Sequence, residues 1–278
     1  MKKNGFFKRS LKYIIKGVQP IYVNVYNTCR NEALKDRIIF ITGGSKGLGY
    51  AIAKRSIEEG ARVIICGRNE NDLKNAVSKL GKNCAYIKLD VCNIDEIKNV
   101  FKKAEAIFNK KIDSLVSNAG ISLHEGDFHN VTPNSWDEQF NVNLKGNYFI
   151  VKEFIEYLEN NENDTSGNIL VITSERAKRD DDIPYGLTKI ATSSFIKTMA
   201  SRVIDKGIRV NGVGPGVTAS NMTGFNEEDD LYCPYQPTKR VFVPEEIAEV
   251  CNFILSDVSN CISGEIITCN QGRHISHW

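Results

Sequence analysis

From Arg37 almost to its end the chain alternates short apolar runs with longer amphipathic stretches, and that alternation constrains the fold more than any single motif. The runs are IIFIT (38–42), RVIIC (62–66), AYIKLD (85–90), SLVSN (114–118), NILVIT (168–173), IRVNGV (208–213) and EIITC (265–269). Most are nearly continuous in β-branched residues, as strands covered on both faces require. Between them apolar residues fall at helical spacing. In 93–108, Ile94, Ile97, Phe101, Ala104 and Phe108 share one face while lysines and acids fill the other,. One helix is predicted there, with Asn93 as N-cap and Glu96 completing a capping box. Strand–helix alternation from end to end predicts an α/β fold with one doubly wound parallel sheet and helices on both sides.

Composition narrows the function. At 41% hydrophobic and 25% charged residues in 278, the chain reads as an ordinary globular protein, and a net charge of +2 is too small to argue for nucleic acid,. Eight cysteines, at 29, 66, 84, 92, 233, 251, 261 and 269, include no C-x₂₋₄-C pair. They read as reduced, mostly buried thiols of a cytoplasmic protein, with no metal site. Internal repeats and domain-sized linkers are absent, so residues 37–278 are expected to form one domain behind an N-terminal extension, 1–36. No run reaches the ~18 apolar residues of a transmembrane span. The first eighteen residues, MKKNGFFKRSLKYIIKGV, mix basic and apolar side chains without the long uncharged core of a signal peptide,. Packing on the domain or on a partner subunit suits them better than peripheral contact with a membrane surface.

The stretch ITGGSKGLG (41–49) follows the first apolar run directly and leads into a helical pattern. Glycines 43, 47 and 49 permit a sharp turn and let a phosphate approach a helix N-terminus, where N–H groups and the helix dipole favour an anion. The strand before and the helix after are the context such a loop needs.

This T-G-x-x-x-G-x-G spacing, with SNAG at 117–120, resembles the short-chain dehydrogenase/reductase family. LDV (89–91), NVNLKG (141–146), TS (173–174), YGLTK (185–189) and VGPGV (213–217) follow in the family's order, so the resemblance runs from about Arg37 to Gly272. It implies a Rossmann-type sheet, a nicotinamide dinucleotide cofactor, and interconversion of a carbonyl and a secondary alcohol by hydride transfer. It also implies a homodimer or homotetramer packed through long helices expected at 134–158 and 184–205.

A tyrosine four residues ahead of a lysine occurs four times: Tyr50/Lys54, Tyr148/Lys152, Tyr185/Lys189 and Tyr235/Lys239. The pattern alone cannot choose among them. The family places its catalytic tyrosine at the start of the helix after the fifth strand, and only Tyr185 sits there, behind a helix-starting Pro184. Pro237 lies inside the last pair and breaks its helical turn. A free phenol, pKa about 10, is a poor base at neutral pH, and an ammonium one turn away is expected to favour the phenolate. The resemblance makes Tyr185 the acid/base, Lys189 its partner and a ribose ligand, Ser174 the holder of the substrate oxygen, and Asn143 the holder of a relay water. Two departures stand out. The separation of Ser174 and Tyr185 is shorter than is usual in the family and strongly charged (ERAKRDDDIP), and NQG (270–272) replaces an acid-Gly-Gly.

Following the family, Gly43, Ser45, Lys46, Gly47, Leu48 and Gly49 would cradle the phosphates, and Asp90 and Val91 the adenine. Asn118, Ala119 and Gly120 would line the cleft, and Pro215, Gly216, Val217 and Ser220 would meet the nicotinamide. NAD-preferring relatives carry an aspartate after the second strand; this chain has Gly67 and then Arg68. Arg68 and Lys46 are cations suited to a 2′-phosphate, so NADP(H) is expected over NAD(H). Residues 218–242 read as a lid or a solvated loop over the substrate. Glu175 and Arg176 suggest a polar carbonyl substrate, or simply a surface ion pair. The alternative function is a catalytically silent, nucleotide-binding sensor or assembly protein. A sugar-nucleotide epimerase fits less well, because that group's glycine spacing is different.

Overall fold

The structure, a computed structural model, describes residues 32–161, 163–225, 230–234 and 236–275. The N-terminal segment 1–31 and Tyr235 lie outside them. Seven strands, β1 (Ile38–Thr42), β2 (Arg62–Gly67), β3 (Cys84–Lys88), β4 (Ser114–Ser117), β5 (Gly167–Ile172), β6 (Ile208–Pro215) and β7 (Ile266–Cys269), form one sheet in the order β3-β2-β1-β4-β5-β6-β7. All six pairings are parallel. The seven apolar runs thus fall on the seven strands, within two residues at the ends.

Alternate residues of β1 show why such runs are apolar throughout. Ile38 and Phe40 enter a core that includes Phe101, Phe154 and Ile196, whereas Ile39 and Ile41 enter a second core with Ile52, Leu73 and Ile254. With period-two side chains and a helical layer on each face, neither face can be polar. The first layer comprises α4 (Val100–Phe108), α6 (Asn147–Glu159) and α7 (Pro184–Val203). The second comprises α1 (Gly47–Glu58), α2 (Glu70–Leu80) and α8 (Pro244–Leu255). Phe101 ties its layer to the sheet, 5.1 Å from Phe40 and 4.8 Å from Phe154 between ring centroids. Leu34, ahead of β1, is also buried in the second core.

Two helices depart from the sequence pattern. The stretch 93–108 is split into α3 (Ile94–Ile97) and α4, because Asn99 is left-handed at φ 60°. Its N–H donates to Glu153 on α6 at 2.7 Å, a long-range cap that stops one helix and starts the next. The expected capping box is also absent: Asn93 does not cap α3, and its Nδ2 donates to the Glu96 carboxylate at 2.9 Å. The helix expected at 134–158 consists of α5 (Pro133–Phe140), a π-helical segment Asn141–Gly146, and α6. π-turns of this kind cluster at functional sites. Here the segment carries Asn143.

The strand order reverses between β1 and β4, which opens a crevice at the carboxyl ends of those strands,. Among the described residues, no helix is long and apolar enough to cross a membrane.

Candidate active site

The crevice is built first from glycines. Gly43 and Gly47 have φ of 65° and 54°, the left-handed region that other residues rarely adopt,. A β-carbon on Gly49 would lie 2.3 Å from the Gly43 carbonyl oxygen, so only glycine lets α1 start so close to the loop. Asn118, just past β4, stitches the two walls together: its Nδ2 donates to the carbonyls of Thr42 (3.0 Å) and Gly43 (3.2 Å). The Thr42 hydroxyl oxygen accepts from the N–H groups of Asn118 and Ala119, both at 2.9 Å. Thr42 is a supporting residue that the motif contains but the site assignment omits.

This cradle fits a dinucleotide. Ser45, Lys46 and Leu48 lie between the glycines, the Lys46 side chain leaves the α1 N-terminus uncapped, and the first turn of α1 contains no acid. Its N–H groups would therefore meet an anion without competition from a side chain. Thr42 and Cys66 are register partners on β1 and β2, so Lys46 and Arg68 rise from neighbouring strand ends, both exposed. Past β3, an Asp90 carboxylate oxygen accepts from the Cys92 N–H at 3.0 Å, and Val91 is buried against Gly146 of the π-segment. Across the crevice, Pro215 ends β6 and Gly216 packs on Asn270 and Phe242. Val217 and Ser220 follow; a β-carbon on Gly47 would come within 3.8 Å of the Ser220 Cβ. The 218–242 segment carries a small core, in which Ala219, Leu231, Cys233 and Val241 are buried together with the adjoining Val243. It is bridged to the loop after β4 by His124 Nε2 and the Met222 carbonyl, 2.6 Å apart.

Ser174, Tyr185 and Lys189 converge beside this cleft. Ser174 follows β5, Tyr185 lies in the first turn of α7, and Lys189 is one turn further on. Gly120 marks their meeting with the π-segment: a β-carbon there would lie 3.3 Å from Asn143 Oδ1 and 3.6 Å from Lys189 Nζ. Asn143 is fully buried and clamps Ile121, accepting from its N–H and donating to its carbonyl, both at 2.8 Å. Asn147 holds the segment in turn, donating to the Asn143 carbonyl at 2.7 Å. Its i+4 spacing from Asn143 is the one sequence signal for this role.

The electrostatics differ from the expectation. Burial raises the Tyr185 phenol above its usual value, against opposing pulls from a hydrogen bond with Ser174 and from the Arg176 guanidinium. Burial also lowers Lys189 from 10.5 to about 8. Desolvation outweighs the attraction that would have favoured a phenolate, because it acts on both partners at once.

Of the two readings open for Glu175 and Arg176, the structure favours ion pairing. Neither is left open for a substrate. Glu175 accepts from Asn270 Nδ2 at 3.0 Å and from Arg273 Nη1 at 2.6 Å, and Arg176 forks the carboxylate of Asp181. The departure at NQG therefore reaches the residue next to Ser174. Two of the other tyrosine–lysine pairs, Tyr50/Lys54 and Tyr148/Lys152, do not enter the crevice. Tyr50 packs against the second core with Lys54 exposed, and Tyr148 is exposed while Lys152 pairs with Glu156. Lys239 is exposed, and its tyrosine partner is not among the described residues.

Residues 43–274 match the family model described as enoyl-(acyl carrier protein) reductase. The acetoacetyl-CoA reductase of Synechocystis sp. is 32% identical, over 87% of this chain and 98% of that protein. Tetrahydroxynaphthalene reductase of Pyricularia oryzae is 28% identical, over 87% and 91%. The crystal structure of 3-ketoacyl-(acyl-carrier-protein) reductase from Brucella melitensis complexed with NADH superposes with a TM-score of 0.79 at 25% identity, over 87% of this chain and 99% of that one. The fold, the glycine crevice and these likenesses agree: the chain belongs to the short-chain dehydrogenase/reductase family of oxidoreductases.

Proposed function

We propose that this protein is an NADP(H)-dependent oxidoreductase interconverting a carbonyl and a secondary alcohol, with Tyr185 as the acid/base. The observation that carries the reading is the convergence of Ser174, Tyr185 and Lys189 on one side of a glycine-built crevice. When bound, the dinucleotide supplies the hydride for reduction or accepts it in oxidation. Ser174 donates its hydroxyl hydrogen to the substrate oxygen and orients it. Tyr185 delivers the proton that oxygen needs as the carbonyl carbon becomes tetrahedral, and takes it back in the reverse direction. A phenol raised by burial keeps that proton at neutral pH, which suits reduction,. Lys189 would hold the ribose hydroxyls, and Asn143 would help hold a water through which a proton returns to Tyr185 from solvent.

Gly43, Ser45, Lys46, Gly47, Leu48 and Gly49 would hold the pyrophosphate, and Arg68 with Lys46 the 2′-phosphate. Asp90 and Val91 would take the adenine, Asn118–Gly120 the ribose side, and Pro215, Gly216, Val217 and Ser220 the carboxamide. The likeness to an acetoacetyl-CoA reductase and to a 3-ketoacyl-(acyl-carrier-protein) reductase supports a β-ketoacyl thioester as the candidate substrate. A groove between α6 and α7, lined by Tyr148, Ala191, Phe195 and Met199, is the face through which we expect a homodimer or homotetramer to form. The seven unpaired cysteines of the described residues suit the reducing cytoplasm,.

The test is turnover of purified protein with NADPH or NADH and a panel of acetoacetyl-CoA, keto acids, sugars and quinones. NADPH-dependent reduction that is lost in Tyr185→Phe supports the reading. Undiminished biological activity in Tyr185→Phe would favour a catalytically silent, nucleotide-binding role instead.

A further inference from the structure

The short, charged loop between Ser174 and Tyr185 is folded on itself by one ion pair. Arg176 Nη2 lies 2.6 Å from Asp181 Oδ1, and Nε donates to Oδ2, a bidentate fork. The Asp181 side chain is 1% exposed, so this is no solvated surface pair. Its Oδ1 also accepts from the Ile183 N–H at 3.2 Å, directly ahead of α7. The carboxylate then lies flat against the first turn of that helix: a β-carbon on Gly186 would stand 1.9 Å from Asp181 Cγ. Residue 186 adjoins Tyr185, and only glycine leaves room for the carboxylate there.

At the loop's other end the Arg176 N–H donates to Ser174 Oγ at 3.2 Å. That bond fixes the serine rotamer and occupies a lone pair, which leaves the hydroxyl hydrogen free to point at another oxygen. One residue therefore links both halves of the site, holding Ser174 through its backbone and, through Asp181, the turn that carries Tyr185. Three consecutive acids, Asp180 to Asp182, would otherwise repel one another in a connection this short.

We propose that Arg176 is a positioning residue for the reaction, setting the Ser174–Tyr185 geometry through its amide on one side and its fork to Asp181 on the other. This rests on the proposed acid/base role of Tyr185. The guanidinium also opposes the burial that raises the Tyr185 phenol, so its removal acts on the proton as well as on the geometry.

The experiment combines steady-state kinetics with acetoacetyl-CoA and NADPH and titration of Tyr185 in the NADP⁺ complex by NMR of isotope-labelled tyrosine. Tyr185→Phe assigns the signal. Arg176→Ala should lower kcat by about tenfold to a hundredfold, the scale of a small misplacement of reacting groups. The KM for NADPH should stay unchanged and the Tyr185 midpoint should move up. Arg176→Lys keeps a charge without the fork, and should restore the midpoint but only part of kcat. Asp181→Asn should lower kcat while moving the midpoint down, the opposite sign. Unchanged kcat and midpoint in Arg176→Ala would overturn the proposal. So would a loss of kcat that merely follows the folded fraction, with the midpoint of the folded protein unmoved. Failure of the functional reading looks different: Tyr185→Phe would then match wild type, while the midpoints of the Arg176 and Asp181 variants still report on the clasp.

Discussion

Lys189 Nζ lies 5.7 Å from the centroid of the Tyr185 ring and donates its hydrogen bond to the Ile172 carbonyl at 3.1 Å. The ammonium is thus buried over the phenol ring, on the sheet side of the helix, with its charged form disfavoured by desolvation.

That burial has a signature in stability. Folded, Lys189 titrates near 8; unfolded, near 10.5. Between those values the unfolded chain holds more protons, so stability rises with pH across the window. The rise attributable to this residue is about 3 kcal/mol. Lys189→Met lacks it. Urea unfolding of both proteins from pH 8 to 10.5 should show the wild type gaining on the variant by that amount, whatever the fixed cost of the lost hydrogen bond. Parallel curves would contradict a buried ammonium.

Arg68 is the best single handle on cofactor choice. It is exposed at the end of β2, with no acid in the position that repels a 2′-phosphate. Arg68→Asp should raise the KM for NADPH by about tenfold to a hundredfold, the value of one charge-assisted phosphate contact, and leave that for NADH nearly unchanged. Wild-type protein preferring NADH would refute the assignment of Arg68 and Lys46.

Gly49→Ala puts a methyl group 2.3 Å from the Gly43 carbonyl oxygen and 2.6 Å from Asn118 Nδ2. The loop must shift and the Asn118 stitch must loosen. Calorimetry should find a loss of about 1–3 kcal/mol, and fluorescence titration weaker NADPH binding. An unaffected affinity would mean that the close approach of α1 to the loop is dispensable.

Arg273→Ala removes one of two partners from the buried Glu175 carboxylate beside Ser174. Arg273 is partly exposed, so the expected cost is modest, about 1–2 kcal/mol. Adding Glu175→Gln should recover most of it, because the unpaired charge, rather than the missing arginine, carries the cost. Additive losses in the double variant would exclude that origin.

The strands and the glycine crevice were legible because their signals are local. A β-branched run reads as a doubly covered strand wherever it falls, and the glycines needed for a positive φ or a close approach stand within a few residues of one another. The interruption at Asn99 was not legible, since the apolar spacing across it stays helical and the bond that stops the helix comes from Glu153. Nor was the π-segment, whose Asn143 keeps the sequence spacing of an ordinary helix. The charged loop left two readings open for the same reason. Glu175 is paired with Asn270 and Arg273, nearly a hundred residues downstream, and nothing nearby in the sequence announces it. The sign of the Tyr185 shift depended on burial, which a tyrosine–lysine spacing does not encode.

The most direct measurement compares wild type and Tyr185→Phe for NADPH-dependent reduction of acetoacetyl-CoA, with NADPH affinity determined alongside. The phenol's single proton is assigned to the substrate oxygen, so its removal should cut kcat by about a thousandfold with the Kd for NADPH unchanged. A variant that reduces the substrate as fast as wild type would contradict the account.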